Sequence, residues 1–329
     1  MSFRISPVWW PLLAAASPVL VPWLLIRNRR FQENRAQAAA LDRARIAGAA
    51  PLALPALESL ELTVLVEWRA REGFIGDAGV SYWFKSERGA LLYDVGFGPA
   101  RPAFPHNAAR LGFHLDQVEA LVISHLHADH MGGLAAQRAR QVTVPTELMP
   151  SEPKPCFLPD RAAAPGFRAE LVTHPRVLGA GIASTGPLAR SLFMFGLTEE
   201  QALLARIKGK GLAVFTGCGH PTIEVILGMV ARLSDEPLYA LGGGLHFPVT
   251  GGRGNRAGIQ FQTLVGTGKP PWQRITDEDL SRAIAAINRA GPQRVYLSGH
   301  DTCDYALDRM VRELNAETVV LEAGATYRI

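Results

Sequence analysis

Val118-Glu-Ala-Leu-Val-Ile-Ser-His125-Leu-His127-Ala-Asp129-His130-Met-Gly-Gly133 joins two patterns in sixteen residues. Its first half is a continuous apolar run of the kind that forms a strand buried on both faces. Its second half packs three histidines and an aspartate into six positions. Neutral imidazole and carboxylate suit zinc, iron or manganese. In an extended turn leaving the strand, His125 and His127 project to one side and grip one ion. Asp129 and His130, entering a helix start at Gly132-Gly133, reach a second. An isolated histidine is usually a satisfied polar residue; four ligand types in six residues are not isolated.

The pattern repeats along the chain. From Leu60 onward, short apolar or β-branched runs alternate with helical periodicity, which predicts a layered α/β domain. Strands are expected at 60–68, 80–85, 90–93, 118–124, 212–216, 238–241 and 294–298, and helices at 222–233, 277–290 and 305–315. Thr276 should cap the second of these helices, and Gly291-Pro292 should stop it. A strand end is followed at once by a ligand type at Asp94, His125, His220, His246 and His300. Loops at strand ends carry chemistry on a rigid scaffold, so five such ends suggest one shared site.

These residues resemble the metallo-β-lactamase superfamily: H-x-H-x-D-H after an apolar strand, Asp94-Val-Gly before it, and isolated strand-end histidines after it. The resemblance covers Leu60 to the C-terminus and implies an αββα sandwich with its metals at one edge. It implies His125, His127 and His220 on the first metal and Asp129, His130 and His300 on the second, with Asp94 orienting ligands from behind. A narrower match, to the branch described as dihydropterin-ribofuranosylaminobenzene phosphate synthase-like, rests on Glu200-Gln-Ala-Leu, Gly211-Leu-Ala-Val-Phe-Thr-Gly-Cys-Gly-His220, Leu241-Gly-Gly-Gly-Leu-His246 and Ser298-Gly-His300. That branch implies a pterin or phosphorylated aryl-riboside substrate.

The sequence also departs from the pattern. The bridging aspartate of the superfamily falls near Gly244 to Phe247, where His246 is the ligand type present: either His246 coordinates or the bridge is lost. The branch's cysteine after its last histidine is Asp301 here, and its early Glu-His is Asp77-Ala78. Cys218, two residues before His220, is either a soft ligand or a small buried residue beside the site. Cys156, Cys218 and Cys303 are too widely spaced for a disulfide framework. His106, His114 and His174 read as ordinary surface or core histidines. Two long segments of little regular pattern, 145–167 and 248–276, are expected to frame the substrate pocket. Within the second, Arg253 and Arg256 offer forks for a phosphate or carboxylate.

The chain has 329 residues, 48% of them hydrophobic, and a net charge of +4. Seven arginines against two acids give residues 1–45 a charge of +5, leaving the body at −1. The body has no positive excess to attract a phosphate backbone, so no nucleic-acid partner is expected. Val8 to Ile26 is nineteen residues without a charge, close to the ~20 that span a bilayer as a helix. Trp9, Trp10 and Trp23 lie near its ends, where an aromatic belt would sit. A cleaved signal peptide competes with an anchor here, although its small-residue site would fall inside the apolar run and only Arg4 precedes it. Arg27, Arg29, Arg30 and Arg35 outnumber Arg4, which places the following domain in the cytoplasm. The expected organisation is an anchor at 1–30, a juxtamembrane stalk or linker at 31–58 and a catalytic domain at 59–329.

The leading functional expectation is a metal-dependent hydrolase. Two divalent ions, zinc or else iron or manganese, would supply a metal-bound hydroxide to an ester, phosphoester or related bond of a small substrate. Asp129 would be a ligand and proton acceptor. The alternatives are an iron-based redox enzyme on the same scaffold, or a membrane-tethered metal-binding or sensor protein without turnover.

Overall fold

A computed structural model describes residues 5–329, the side chains of Arg256 and Val265 excepted; Arg4 lies outside the described residues. Two sheets form the middle of the molecule. The first runs in the order Thr326–Arg328, Leu60–Val66, Ser81–Ser86, Gly89–Tyr93, Ala120–Val122, Pro155–Leu158 and Arg168–Leu171. The second runs Glu317–Val320, Arg294–Leu297, Leu238–Gly243, Gly211–Thr216, Leu203–Ile207, Ile182–Ser184 and Arg176–Gly179, with Ala56–Leu57 paired beside Leu203–Ile207.

Alternation along each strand builds the layers. Leu62, Val64, Tyr82, Phe84, Leu91 and Tyr93 face Leu203, Ala213, Phe215 and Tyr296 between the sheets. The intervening Leu92 and Leu121 turn outward onto Phe104 and Ala108 of the Ala103–Leu111 helix. On the far side, Leu212, Val214, Leu241 and Val295 pack against the helices Ile223–Leu233, Asp277–Ala290 and Asp304–Glu313. The result is a four-layer αββα sandwich. Both faces of its central strands are covered, so they read as unbroken apolar runs.

The expected strands and helices agree with the observed ones to within two or three residues at each end. Thr276 caps its helix as expected: it accepts the Asp279 N–H while Asp279 accepts the Thr276 N–H. The sequence reading missed the hairpin Leu188–Leu192 and Gly196–Glu200, whose strands are short and carry charges.

That hairpin receives the N-terminal helix, Trp10–Gly48. Phe31 is buried and stacks on Phe193 with ring centroids 5.7 Å apart. Asp42 is buried and accepts the Ala189 N–H at 2.7 Å, and Arg45 pairs with Glu199 at 2.5 Å. Ile46 packs onto the cluster that contains the Ile223–Leu233 helix. Residues 31–48, expected as a stalk or linker, are therefore packed onto the domain. Val8, Val19 and Leu25 in the apolar half of the helix are exposed. The other end of that half also touches the domain: the Ser6 N–H donates to the Gly258 carbonyl and the Trp9 indole N–H to that of Ala257, both at 2.9 Å.

Candidate metal centre

The turn after Ala120–Val122 is held from behind by Asp94, itself at the end of Gly89–Tyr93 in the left-handed region, φ 62°. One Asp94 oxygen accepts the Ser124 N–H at 2.7 Å; the other accepts the Ser124 hydroxyl at 2.6 Å and the His130 Nδ1–H at 2.7 Å. The Ser124 oxygen lies 2.9 Å from His125 Nδ1 and so accepts its proton. One carboxylate thereby puts the protons of two imidazoles on Nδ1 and turns both Nε2 atoms forward. Gly132 then lets the chain pass the Thr143 carbonyl at φ 111°, where any Cβ would collide with that oxygen.

The device is repeated around His300 by Glu67, which the sequence reading did not single out, and around His220 by Glu200, which it quoted only as part of a motif. Glu67, fully buried at the end of Leu60–Val66, accepts the Ser298 hydroxyl, the Gly299 N–H at 3.0 Å and the Tyr82 hydroxyl at 2.7 Å. The Ser298 oxygen in turn accepts the His300 Nδ1–H at 2.6 Å. Glu200 accepts the four consecutive N–H groups of Gly217, Cys218, Gly219 and His220 at 2.8–3.1 Å. The signal for Glu67 was an acid directly after an apolar strand, as at Asp94, but without a glycine to mark the turn; Glu200 ends a short charged strand and carried no such signal.

Three groups of ligand atoms converge: His125, His127 and His220; Asp129, His130, Cys218 and His300; and Cys218, His220 and His246. The six ligands implied by the sequence resemblance thus come together, with Cys218 and His246 joining them. His106, His114 and His174 join none of these groups. His127 Nδ1 and His220 Nε2 are 3.2 Å apart. Two nitrogens on one tetrahedral ion at ~2.0–2.1 Å are separated by about 3.3 Å. Cys218 Sγ lies 3.1 Å from His130 Nε2 and 3.2 Å from His300 Nε2. His125 Nε2 and both ring nitrogens of His246 are buried without a hydrogen-bond partner among the described residues. Buried polar atoms are rarely left so, and their convergence fits a cation.

The electrostatics agree. Burial drives the histidines toward the neutral, ligating form, His127 to about 3 and His246 to about 4, with the neighbouring His130 adding to both. His130 is the exception. Burial alone would lower it, but Asp129 and Asp94 raise it to about 9. Burial, then the charge of Asp301, holds the Cys218 thiol well above its ordinary range; a cation would reverse that preference.

The carboxylate missing from Gly244 to Phe247 has a spatial counterpart. A Cβ on Gly244 would meet Asp301 Oδ2 at 2.5 Å and His300 Cε1 at 2.8 Å, so a side chain there has no room. Asp301 fills that space. It is buried, accepts the His246 N–H at 3.0 Å, and its Oδ2 stands 3.8 Å from both His300 Nε2 and His246 Nδ1.

Arg253, expected to meet substrate, is committed elsewhere. It donates to the Gly299 and Thr302 carbonyls at 2.9 Å, grips both Asp304 oxygens, and lies over the Trp68 ring. It fastens the loop around His300, with four of its five N–H donors spent on that loop. The Arg256 side chain lies outside the described residues. The 248–276 segment does border the site: Gly266, Thr267, Lys269 and Ile275 line a cavity of about 160 Å³ with His220 and His246. From 145–167, Asp160 lines one of about 140 Å³ with His127 and Phe195.

Residues 75–146 match the family model for the metallo-β-lactamase superfamily. No curated protein matches the chain. Among solved structures, Tm1679, described as a metal-dependent hydrolase of the β-lactamase superfamily, superposes with a TM-score of 0.57 at 21% identity, over 82% of this chain and 99% of that one. The metallo-β-lactamase fold protein YhfI from Bacillus subtilis gives 0.48 at 12% identity, over 82% and 99%. A diphosphatase from the PhnP family gives 0.44 at 15% identity, over 82% and 97%. The family-model match supports the superfamily over residues 75–146 and nothing supports the narrower dihydropterin branch, so the pterin substrate is not carried forward. That match lies over the segment that bears the histidine motif, and in that segment and in its fold the chain is similar to the metal-dependent hydrolases of the metallo-β-lactamase superfamily.

Proposed function

We propose that this protein is a membrane-associated hydrolase that cleaves an ester or phosphoester of a small substrate at a two-metal centre. The observation that carries the reading is the convergence of His125, His127 and His220 beside Asp129, His130, Cys218 and His300, with the His125 Nε2 atom buried and unpaired. The first three residues would hold one ion and the other four a second, and zinc suits this mixed nitrogen, oxygen and sulfur set. Such ions lower the pKa of water toward neutrality and stabilise charge on the reacting oxygens.

The chain's own residues do the rest. Asp94, Ser124, Glu67 and Ser298 hold three imidazoles with Nε2 forward, so no reorientation is needed during reaction. Glu200 fixes the backbone from Gly217 to His220. Asp129 is only half-buried, whereas its three partners in the group are buried; its carboxylate is the one placed to accept a proton from solvent or substrate. Asp301 puts a carboxyl between His300 and His246; burial favours its neutral form, and a cation held there would favour the charged one.

Membrane association through residues 8–26 is supported by their length, composition and exposure. The arginines after Ile26 favour a cytoplasmic face for the domain. The test is elemental analysis of the full chain with a panel of phosphoester, lactone and thioester substrates, comparing wild type with His127→Ala. Loss of both metal and turnover is expected. Indifference of both would overturn the reading, and an iron-loaded protein that turns over none of the panel would favour redox chemistry.

A further inference from the structure

The cavity beside His220 and His246 carries three cationic side chains, Arg190, Lys269 and Arg282. Two of them are committed. Lys269 and Arg282 both pair with Asp279, and Arg282 also reaches Glu278. Arg190 is different. It projects from the Leu188–Leu192 strand, is partly buried, and makes no hydrogen bond or ion pair among the described residues. Its guanidinium lies against Gly268, where a Cβ would collide with it, and its charge is felt at His220. The charges of Glu224, which is exposed, and of Asp42 and Asp279 are felt at Arg190, but none of the three forms an ion pair with it among the described residues. A guanidinium drawn partly out of water without a partner keeps unused donors for a ligand. Burial and the neighbouring Arg35 hold Arg190 below its ordinary pKa.

Two further features face the same space. The Ile223–Leu233 helix begins at this cavity through Thr222, Ile223 and Glu224, and no side chain caps its first turn. His246, more than nine-tenths buried, lines the cavity with no hydrogen-bond partner for either ring nitrogen among the described residues. A fork-shaped cation and an uncapped helix start converging on one cavity fit an oxyanion.

We propose that this cavity is the anion subsite of the enzyme, in which Arg190 receives a phosphate or carboxylate group of the substrate. The bond to be cleaved then lies over the adjoining metal ligands. The subsite rests on the hydrolase reading and deepens it: the substrate carries an anionic group distinct from the bond that breaks. Because His220 and His246 belong to both the cavity and the ligand groups, the two parts of the substrate are held on opposite sides of these imidazoles.

The experiment titrates the full chain, as purified and after chelation, with inorganic phosphate and with acetate, following binding by calorimetry. Arg190→Gln should weaken phosphate binding by about tenfold or more in both preparations, and Arg190→Lys should recover part of it. A folded Arg190→Gln protein that binds phosphate as wild type does would overturn the proposal. Wild-type protein gives an independent reading: phenylglyoxal should modify Arg190, with phosphate protecting it, and modification indifferent to both anions would overturn the proposal as well. Protection by phosphate alone identifies a phosphorylated substrate; protection by acetate too identifies a carboxylate. Metal analysis of the same samples separates the two readings. A chain that holds no metal but binds phosphate through Arg190 loses the hydrolase reading and keeps the anion site.

Discussion

The carboxylate of Glu200 accepts the backbone N–H of His220 at 2.8 Å and, with it, those of the three residues before. Four donors aimed at two oxygens require an acceptor-only group. Glu200→Gln replaces one oxygen with an NH2 that opposes those donors. A buried donor left unpaired costs about 1–3 kcal/mol. Chemical denaturation should show a loss of that size, and calorimetric metal titration should show weakened binding at the group containing His220.

Cys218→Ser keeps the size of the side chain and removes the soft donor. Substituting cobalt for the native metal should give wild type a thiolate-to-metal charge-transfer band in the near ultraviolet, because Sγ lies 3.1–3.2 Å from two ligand nitrogens. The band should be absent in the serine variant while one cobalt per chain remains on His125, His127 and His220. A wild-type spectrum without the band would remove Cys218 from the ligand set.

Asp301→Asn preserves an acceptor for the His246 N–H but removes the charge standing 3.8 Å from two imidazoles. Burial holds this carboxyl well above the ordinary range, opposed by its hydrogen bond from Thr302, so the protein is expected to fold at least as stably in the variant. Occupancy of the second metal should fall by about tenfold or more, as for other charged supports of metal ligands. Equal stoichiometry in wild type and variant would show that the charge has no part in holding the ion.

Asp42 gives a pH dependence whose sign is fixed by its burial. Desolvation raises its folded pKa, against the lowering effect of the Ala189 N–H. A carboxyl raised in the folded state binds its proton more tightly there than when unfolded. Its contribution to stability is therefore greatest below the unfolded carboxylate pKa and declines as pH rises through the folded one. The protection of the Ala189 amide against hydrogen exchange, relative to its intrinsic rate at each pH, should fall across that interval in wild type and stay flat in Asp42→Asn. Phe31→Ala should speed exchange along the same hairpin at every pH, because it removes the Phe31–Phe193 contact at a cost of about 3–5 kcal/mol.

Much of the chemistry was written in local sequence. The run from Val118 to Gly133 sets a buried strand, a turn and a ligand cluster within one stretch of chain, so apolar periodicity and residue type suffice to read it. The placement of His220 and His300 near it was legible for a similar reason: each lies within four residues of a strand end. Other features depend on groups far apart in the chain. Glu67 meets Ser298 across 231 positions, and Asp42 meets Ala189 across 147. No local periodicity encodes such pairings. Tertiary structure alone put the Asp301 carboxylate against Gly244, tied Arg253 to Asp304 and left Arg190 unpaired beside His246. Ligand identity is a property of residues and short spacings, whereas the partners that orient a ligand, and the charge left over to meet a substrate, are decided by how the two sheets pack.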